Sequence, residues 1–335
     1  MTSSYNYRTI PHDEVKFMTM SKTRYLSAVF ALVTVQQIAC QQAFALDLLK
    51  SAAKKPDIKT LTTIINLESL GTQESLRQAL SLSDQLASTG GDFAANHLEL
   101  SRIYQKLGED DKAILAYFET LLMTGGVGEE AHASRLALGE LYMKRGSYDE
   151  AGGQLKKALE TSPSDNNCRG NLGICLMQLG YTPLAEAEFK KVLTTEPDNF
   201  VCLYNLGLTL SLRKDFERAA SYFHKACEVG EKLKAPLLPM AYLGLSHCYE
   251  VRGQHLSALK FAEKAGQLAP SSHYVYLSLA SIYDGMKEPG KAIAAVRKAI
   301  EMSPRDPGCQ AALTEIINRQ KKLISVKASK PETTN

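Results

Sequence analysis

Slid against itself from residue 94, the sequence repeats with a period of 34 residues. Six blocks align, 94–127, 132–165, 166–199, 200–233, 239–272 and 273–306, with four extra residues after the first and five after the fourth. The seventh position is Leu in every block. The eighth is always small (Ser101, Gly139, Gly173, Gly207, Ser246, Ala280), and the twentieth is Ala throughout, from Ala113 to Ala292. A chain that recurs in this way is one supersecondary unit stacked on copies of itself, so its 335 residues are not to be divided into domains by length.

The columns predict an antiparallel helix pair. Apolar residues at positions 4, 7 and 11 lie three and four apart, on one face of a first helix, with Tyr104, Tyr142, Leu176, Leu210, Tyr249 and Tyr283 in the eleventh column. A second stripe runs through Ala at 20, a large residue at 24 such as Tyr117, Leu155, Phe189 or Phe223, and a small one at 27. Small residues let the helix axes approach while large ones fill the space beside them. Gly108, Gly146, Gly180 and Gly253, at position 15, suit a left-handed helix end, and Pro163, Pro197, Pro270 and Pro304, at position 32, stop the second helix. One such hairpin cannot bury its own apolar faces. The expected fold is therefore all-α, a right-handed superhelical solenoid of six repeats.

These blocks resemble the tetratricopeptide repeat, and Asn166 to Asn199, with Asn171-Leu172-Gly173, Ala185, Phe189 and Pro197, lies close to that family's pattern. The resemblance spans residues 94–306. It implies stacked helical pairs and a role in protein recognition, with partners held along a concave face lined by the first helices. The sequence departs from the pattern where Glu231 stands for Pro and where Lys214 and Lys287 stand for Gly, which weakens a cap or turn without breaking register. Family members that grip a chaperone's terminal carboxylate use Lys at position 5 and Asn at position 9. Here position 5 is Leu98, Leu136, Gly170, Tyr204, Leu243 and Leu277, and position 9 is Arg102, Glu140, Ile174, Leu208, His247 and Ser281, so that clamp is missing.

The flanks complete the organisation. Residues 46–93 read as a divergent capping hairpin with helices over Ile58 to Leu70 and Glu74 to Ala87, separated by Gly71, and Leu76, Leu80 and Leu86 form an apolar stripe. Residues 307–326 read as a capping helix centred on Ala311 to Leu323, and residues 327–335 as a disordered tail.

Residues 1–45 read as a targeting segment. Lys22 and Arg24 precede the apolar run Tyr25 to Val35, and Ala43-Phe44-Ala45 supplies an A-x-A site before Leu46. Eleven apolar residues are too few to span a bilayer, which takes about twenty, so no transmembrane helix is expected in the mature chain. Asp13 and Glu14 do not suit the charged region of a signal, which places the expected start at Met18 or Met20. Ile38-Ala39-Cys40 resembles a lipoprotein processing site, making Cys40 a candidate lipid anchor, although Gln37 departs from that pattern. A buried first helix of a cytosolic protein is the alternative.

The other cysteines, Cys168, Cys175, Cys202, Cys227, Cys248 and Cys309, fit a core role best. Cys168, Cys202 and Cys309 fall at position 3, and Cys175 and Cys248 at position 10, columns where small residues pack. Seven residues on one helix separate Cys168 from Cys175 by about 10 Å, beyond disulfide reach, while a bridge between neighbouring repeats stays open. No C-x-x-C and no paired-histidine spacing points to a metal, and no nucleophile elbow, phosphate loop or dinucleotide fingerprint is present. Neither a catalytic residue nor a cofactor is expected. Thirty-nine basic against thirty-six acidic side chains leave no field suited to nucleic acid.

Helix geometry turns positions 2, 5, 9, 12 and 13 of each first helix inward. In the middle repeats these are Ile174, Met177, Val201, Tyr204, Leu208, Leu212, Met240 and Leu243, mostly apolar, with Arg102, Lys106, Glu140, His247 and Glu250 at the rims. The expected function is a non-enzymatic scaffold, exported to the periplasm or envelope. One or more proteins would dock in the groove, with Tyr204 and Leu208 as anchors, in assembling an envelope complex such as a pilus. Burial of the same residues against one another by tight curvature is the alternative for the groove. A cytosolic adaptor, or the repeat arm of an enzyme such as a glycosyltransferase, are the alternatives for the function.

Overall fold

The computed structural model describes residues 58–88 and 94–328. The expected signal segment, with Met18, Met20, Cys40 and Ala45, lies outside the described residues, as do residues 329–335 of the expected tail. Among the described residues the chain forms fifteen α-helices and no strand. They divide into two compact units, 1–96 and 97–335.

In the first unit, α1 (Ile58–Leu70) and α2 (Gln73–Ser88) pack around Ile64, Leu76, Ala79 and Leu86. Gly71 turns between them at φ +65°. Thr72 caps α2 reciprocally: its hydroxyl accepts from the Ser75 N–H at 3.1 Å, and the Ser75 hydroxyl accepts from the Thr72 N–H at 3.1 Å.

The second unit begins within α3 (Ala94–Leu107) and continues through α4 (Asp110–Met123), α5 (Glu129–Lys144), α6 (Tyr148–Thr161), α7 (Asn166–Gln178) and α8 (Thr182–Thr195). It goes on through α9 (Phe200–Leu212), α10 (Phe216–Leu233), α11 (Leu238–Val251), α12 (His255–Leu268), α13 (His273–Gly285) and α14 (Pro289–Met302). The last helix, α15 (Pro307–Ala328), is longer at both ends than its apolar pattern suggests and takes in Lys327 and Ala328, which the sequence assigns to the tail. From α5 onward each helix packs on the next, and the chain is an all-α repeat solenoid in this unit.

What sets the spacing is a size match between positions 8 and 24. A Cβ on Gly139 would lie 2.8 Å from the side chain of Leu155, one on Gly173 2.6 Å from Phe189, and one on Gly207 2.8 Å from Phe223. All three large residues are fully buried. In the last two repeats position 8 has gained a side chain, Ser246 and Ala280, and position 24 shrinks to Ala262 and Val296, both buried, whereas the first repeat pairs Ser101 with a fully buried Tyr117.

The turns follow the glycine column even where glycine is absent. Gly108, Gly146, Gly180 and Gly253 have φ between +72° and +82°, and Lys214 and Lys287, in the same column, both take φ +61°. The turn geometry is thus imposed by helix packing rather than by residue type. Glu231 shows the converse. Without the stopping proline, α10 runs eighteen residues to Leu233 and ends in left-handed Lys234 (φ +50°), which accounts for the insertion before the fifth block. Asp165 and Asn199, which close the second and third blocks, cap the helices that follow, accepting from the N–H of Cys168 at 2.9 Å and of Cys202 at 3.0 Å.

The six cysteines are buried and unbridged. Their thiols are pushed up by burial, Cys168 and Cys227 to about 12 and Cys175 and Cys202 to about 11.

Candidate protein-binding groove

Successive first helices touch one another: α5 meets α7, α7 meets α9, α9 meets α11, and α11 meets α13. Among the described residues no two second helices do so. Elements that approach more closely lie on the inside of a bend, so the first helices form the inner wall. Polar bonds tie that wall together. Asn171 Nδ2 of α7 donates to Glu140 Oε1 of α5 at 3.4 Å, and the Ser281 hydroxyl of α13 donates to Glu250 of α11 in a short bond. Glu140 is open to solvent, yet surrounding protein desolvates its carboxyl and raises it above the ordinary value, opposed by the Asn171 bond.

The apolar residues expected to face inward are distributed unequally. Val201 and Leu212 are exposed, at 45% and 63%. Ile174, Tyr204, Leu208 and Leu243 are half-buried and pack on the main core, and Met240 is half-buried. Met177 is buried. Tyr204 stacks on Phe200 at 6.3 Å between ring centroids and tilts against Phe223 at 5.9 Å, so most of its ring belongs to the core. Side chains at positions 5 and 9 are therefore shared between the core and the groove, which the inward spacing alone does not reveal.

At the rim, Arg102 Nη1 lies 2.6 Å from Glu99 Oε1, and Lys106 is exposed. The His247 ring is exposed, stands edge-on to Phe216 at 5.8 Å, and has Nδ1 3.8 Å from Glu250. One feature escapes the inward columns. Glu186, at position 21, is nearly buried and gathers Lys190 at 2.7 Å, Arg213 in a short contact and Arg218 at 3.5 Å, which joins the third and fourth repeats. The Lys190 hydrogen bond, helped by the charges of Lys190, Arg213 and Arg218, holds its carboxyl below the ordinary range against the opposing effect of burial. Its signal in the sequence is faint, an acid one residue past the invariant Ala followed four residues later by a Lys.

Among the described residues no group of three His, Cys, Asp or Glu side chains is placed to hold a metal ion. An open cleft of about 520 Å³ beside α10, with Glu217, Ser221, His224, Lys225, Glu228, Tyr249 and Arg252 in its lining, mixes both signs of charge. No helix among the described residues is long and apolar enough to cross a membrane.

Comparison with known proteins agrees with this architecture. Family models described as tetratricopeptide repeat match residues 98–166, 136–200, 201–233 and 273–306. The chain belongs to the tetratricopeptide repeat family. Among solved structures it is similar to the Cut9-Hcn1 hetero-tetramer of the APC/C, with TM-score 0.61 and 18% identity over 82% of this chain, and it spans about half, 52%, of that chain. It is similar to a tetratricopeptide repeat protein from Parabacteroides merdae, with TM-score 0.58 and 16% identity over 77% of this chain and 99% of that one. It is also similar to PilW, a type IV pilus biogenesis factor, with TM-score 0.57 and 18% identity over 66% of this chain and 98% of that one. At these identities the likeness is one of fold. No curated protein matches the chain in sequence.

Proposed function

We propose that the chain is a non-catalytic scaffold that holds a protein segment along the inner wall of its repeat array. The observation that carries this reading is the touching of successive first helices, which lines residues of several repeats, Val201 and His247 among them, along one surface. A segment laid there meets Val201, Leu208 and Leu212 in its centre and the charges of Glu140 and Glu250 toward its ends, which suits an amphipathic helix or an extended peptide with an apolar middle. Tyr204 and Leu208 contribute through their exposed edges.

The site of action in this proposal is the cell envelope, after export with cleavage following Ala45. Two features support it, the charged, apolar and A-x-A succession over residues 22–45 and the likeness of fold to PilW. Mass spectrometry of the mature amino terminus reads Leu46 as the first residue if it is correct, and a lipid on Cys40 if the anchored form is made.

The groove is tested by affinity capture from envelope extract with the intact protein and with Val201→Glu/His247→Ala. Both side chains are exposed, so the circular dichroism signal stays unchanged. Loss of the captured protein is expected. Equal capture by the variant removes the groove from the mechanism.

A further inference from the structure

His132, in the first turn of α5, turns both ring nitrogens toward groups that only accept. Nδ1 lies 3.1 Å from the Ala158 carbonyl in the last turn of α6, and Nε2 lies 2.8 Å from Asp165 Oδ2 at the cap of α7. The Ala158 carbonyl already accepts from the Ser162 N–H at 2.9 Å, and Asp165 Oδ1 accepts from the Cys168 N–H at 2.9 Å. A neutral imidazole carries one N–H, so it satisfies one of its two partners and sets a lone pair against the other. The imidazolium carries two and satisfies both. His132 and Asp165 are each only 19% exposed, so water does little to replace a missing bond.

The surroundings suit the added charge. Glu129 and Glu130 share the first turn of α5, and the end of α6 presents the negative pole of its helix dipole. Glu140, further along α5, adds negative charge near Asp165. The nearby cations are engaged elsewhere: Arg135 of α5 reaches Thr161 Oγ1 at 3.4 Å, and Arg169 of α7 meets Glu188 at 2.9 Å. Lys156, Lys157 and Glu160 of α6 are exposed. In the second half of α4 the one charged residue is Glu119, 3.2 Å from His97, and the buried Cys168 thiol of α7 stays neutral.

The third repeat fastens the same edge without a titrating group. There position 1 is Asn166, whose Nδ2 donates to Thr195 Oγ1 at 2.9 Å and to Glu196 Oε1 at 2.7 Å. We propose that His132 is a proton-operated clasp, which on gaining its second proton binds the end of α6 to the cap of α7 and stiffens the junction of the second and third repeats. Histidine changes charge between about pH 8 and pH 5. The charged form makes both folded contacts and the unfolded chain makes neither, so stability is gained as pH falls through this range and lost as it rises. The clasp acts on α6, which carries the adjacent glycines Gly152 and Gly153, and it does so with or without a partner in the groove.

Amide hydrogen exchange of the full chain, corrected for intrinsic rates, measures the clasp at about pH 8 and about pH 6. Protection of the Ser162 and Cys168 amides should rise by roughly tenfold at the lower pH. His132→Asn, which places here the residue that opens the third repeat, should remove that rise and leave residues 184–194 as they were. Asp165→Asn keeps a good helix cap for Cys168 and should remove it too. In the unsubstituted chain at about pH 6, ring nitrogen chemical shifts should show both nitrogens of His132 protonated. A neutral His132 ring at that pH, protection that does not change with pH, or an equal rise in His132→Asn would each overturn the inference.

Discussion

A Cβ on Gly173 would stand 2.6 Å from Cε1 of Phe189, closer than two such carbons can approach, and the Phe189 ring is fully buried. The glycine is therefore the hollow into which the ring fits. Gly173→Ala adds about 0.5–1 kcal/mol of helix propensity. It also overpacks a core contact, at a cost of about 1–3 kcal/mol. The second effect wins, and a lower denaturation midpoint is expected. Gly173→Ala combined with Phe189→Leu should recover part of the loss.

Gly153 gives the opposite sign. It lies inside α6, and a Cβ there would meet nothing within 4 Å, so Gly153→Ala should stabilise by about 0.5–1 kcal/mol. With Gly152 beside it, α6 is expected to be soft. Hydrogen exchange should be faster over residues 147–160 than over residues 184–194, and the substitution should narrow the gap.

Lys214 holds a left-handed conformation at φ +61°, which costs an L-residue about 1–2 kcal/mol. Lys214→Gly removes that cost and adds a smaller entropic one of about 0.5–1 kcal/mol. A net gain of up to about 1 kcal/mol is expected in chemical denaturation. Gly180→Ala, at φ +82° in the same column, should lose a similar amount.

Glu186 makes the array acid-sensitive. Its carboxyl is held below the ordinary value of 4.5 by the Lys190 hydrogen bond and the neighbouring cations. A depressed folded value gives stability that is present above the unfolded value and lost as pH falls through the folded one. Glu186→Gln should thus destabilise by about 1–2 kcal/mol at neutral pH, since Lys190, Arg213 and Arg218 lose the near-buried carboxylate they share while themselves remaining partly exposed to water. The difference between the two proteins should shrink below about pH 4.5.

The buried thiols act at the other end of the scale. Their folded values stand above the ordinary 9.0, near 11 to 12 for the central four, so stability is full below the unfolded value and falls as pH rises through that window. Thiol reagents at neutral pH should label Cys168, Cys175, Cys202 and Cys227 only at the rate of unfolding. Replacing these four by Ala should flatten the alkaline loss.

Much of this was legible in the sequence because a repeat reports each structural rule several times over. The Leu, Gly and Ala columns name the helix faces, and the pairing of Gly173 with Phe189 is implied by small and large columns sixteen residues apart. The extra turn of α10 was not, since the missing proline at Glu231 says only that the helix is not stopped there. The division of Tyr204 between core and groove was hidden for a related reason. The inward columns give a direction, whereas burial depends on how closely the next helix lies, and that is set by side chains in another repeat.

The central claim is that a protein segment occupies the inner wall. Site-specific photocrosslinking in cells measures it most directly, with the reactive residue placed at Val201, at His247 and, as a control on a second helix, at Lys260 of α12, each of them exposed. A discrete adduct of one mass from both Val201 and His247, with none from Lys260, is the predicted result. Adducts from Lys260 alone, or equally from all three, would contradict it.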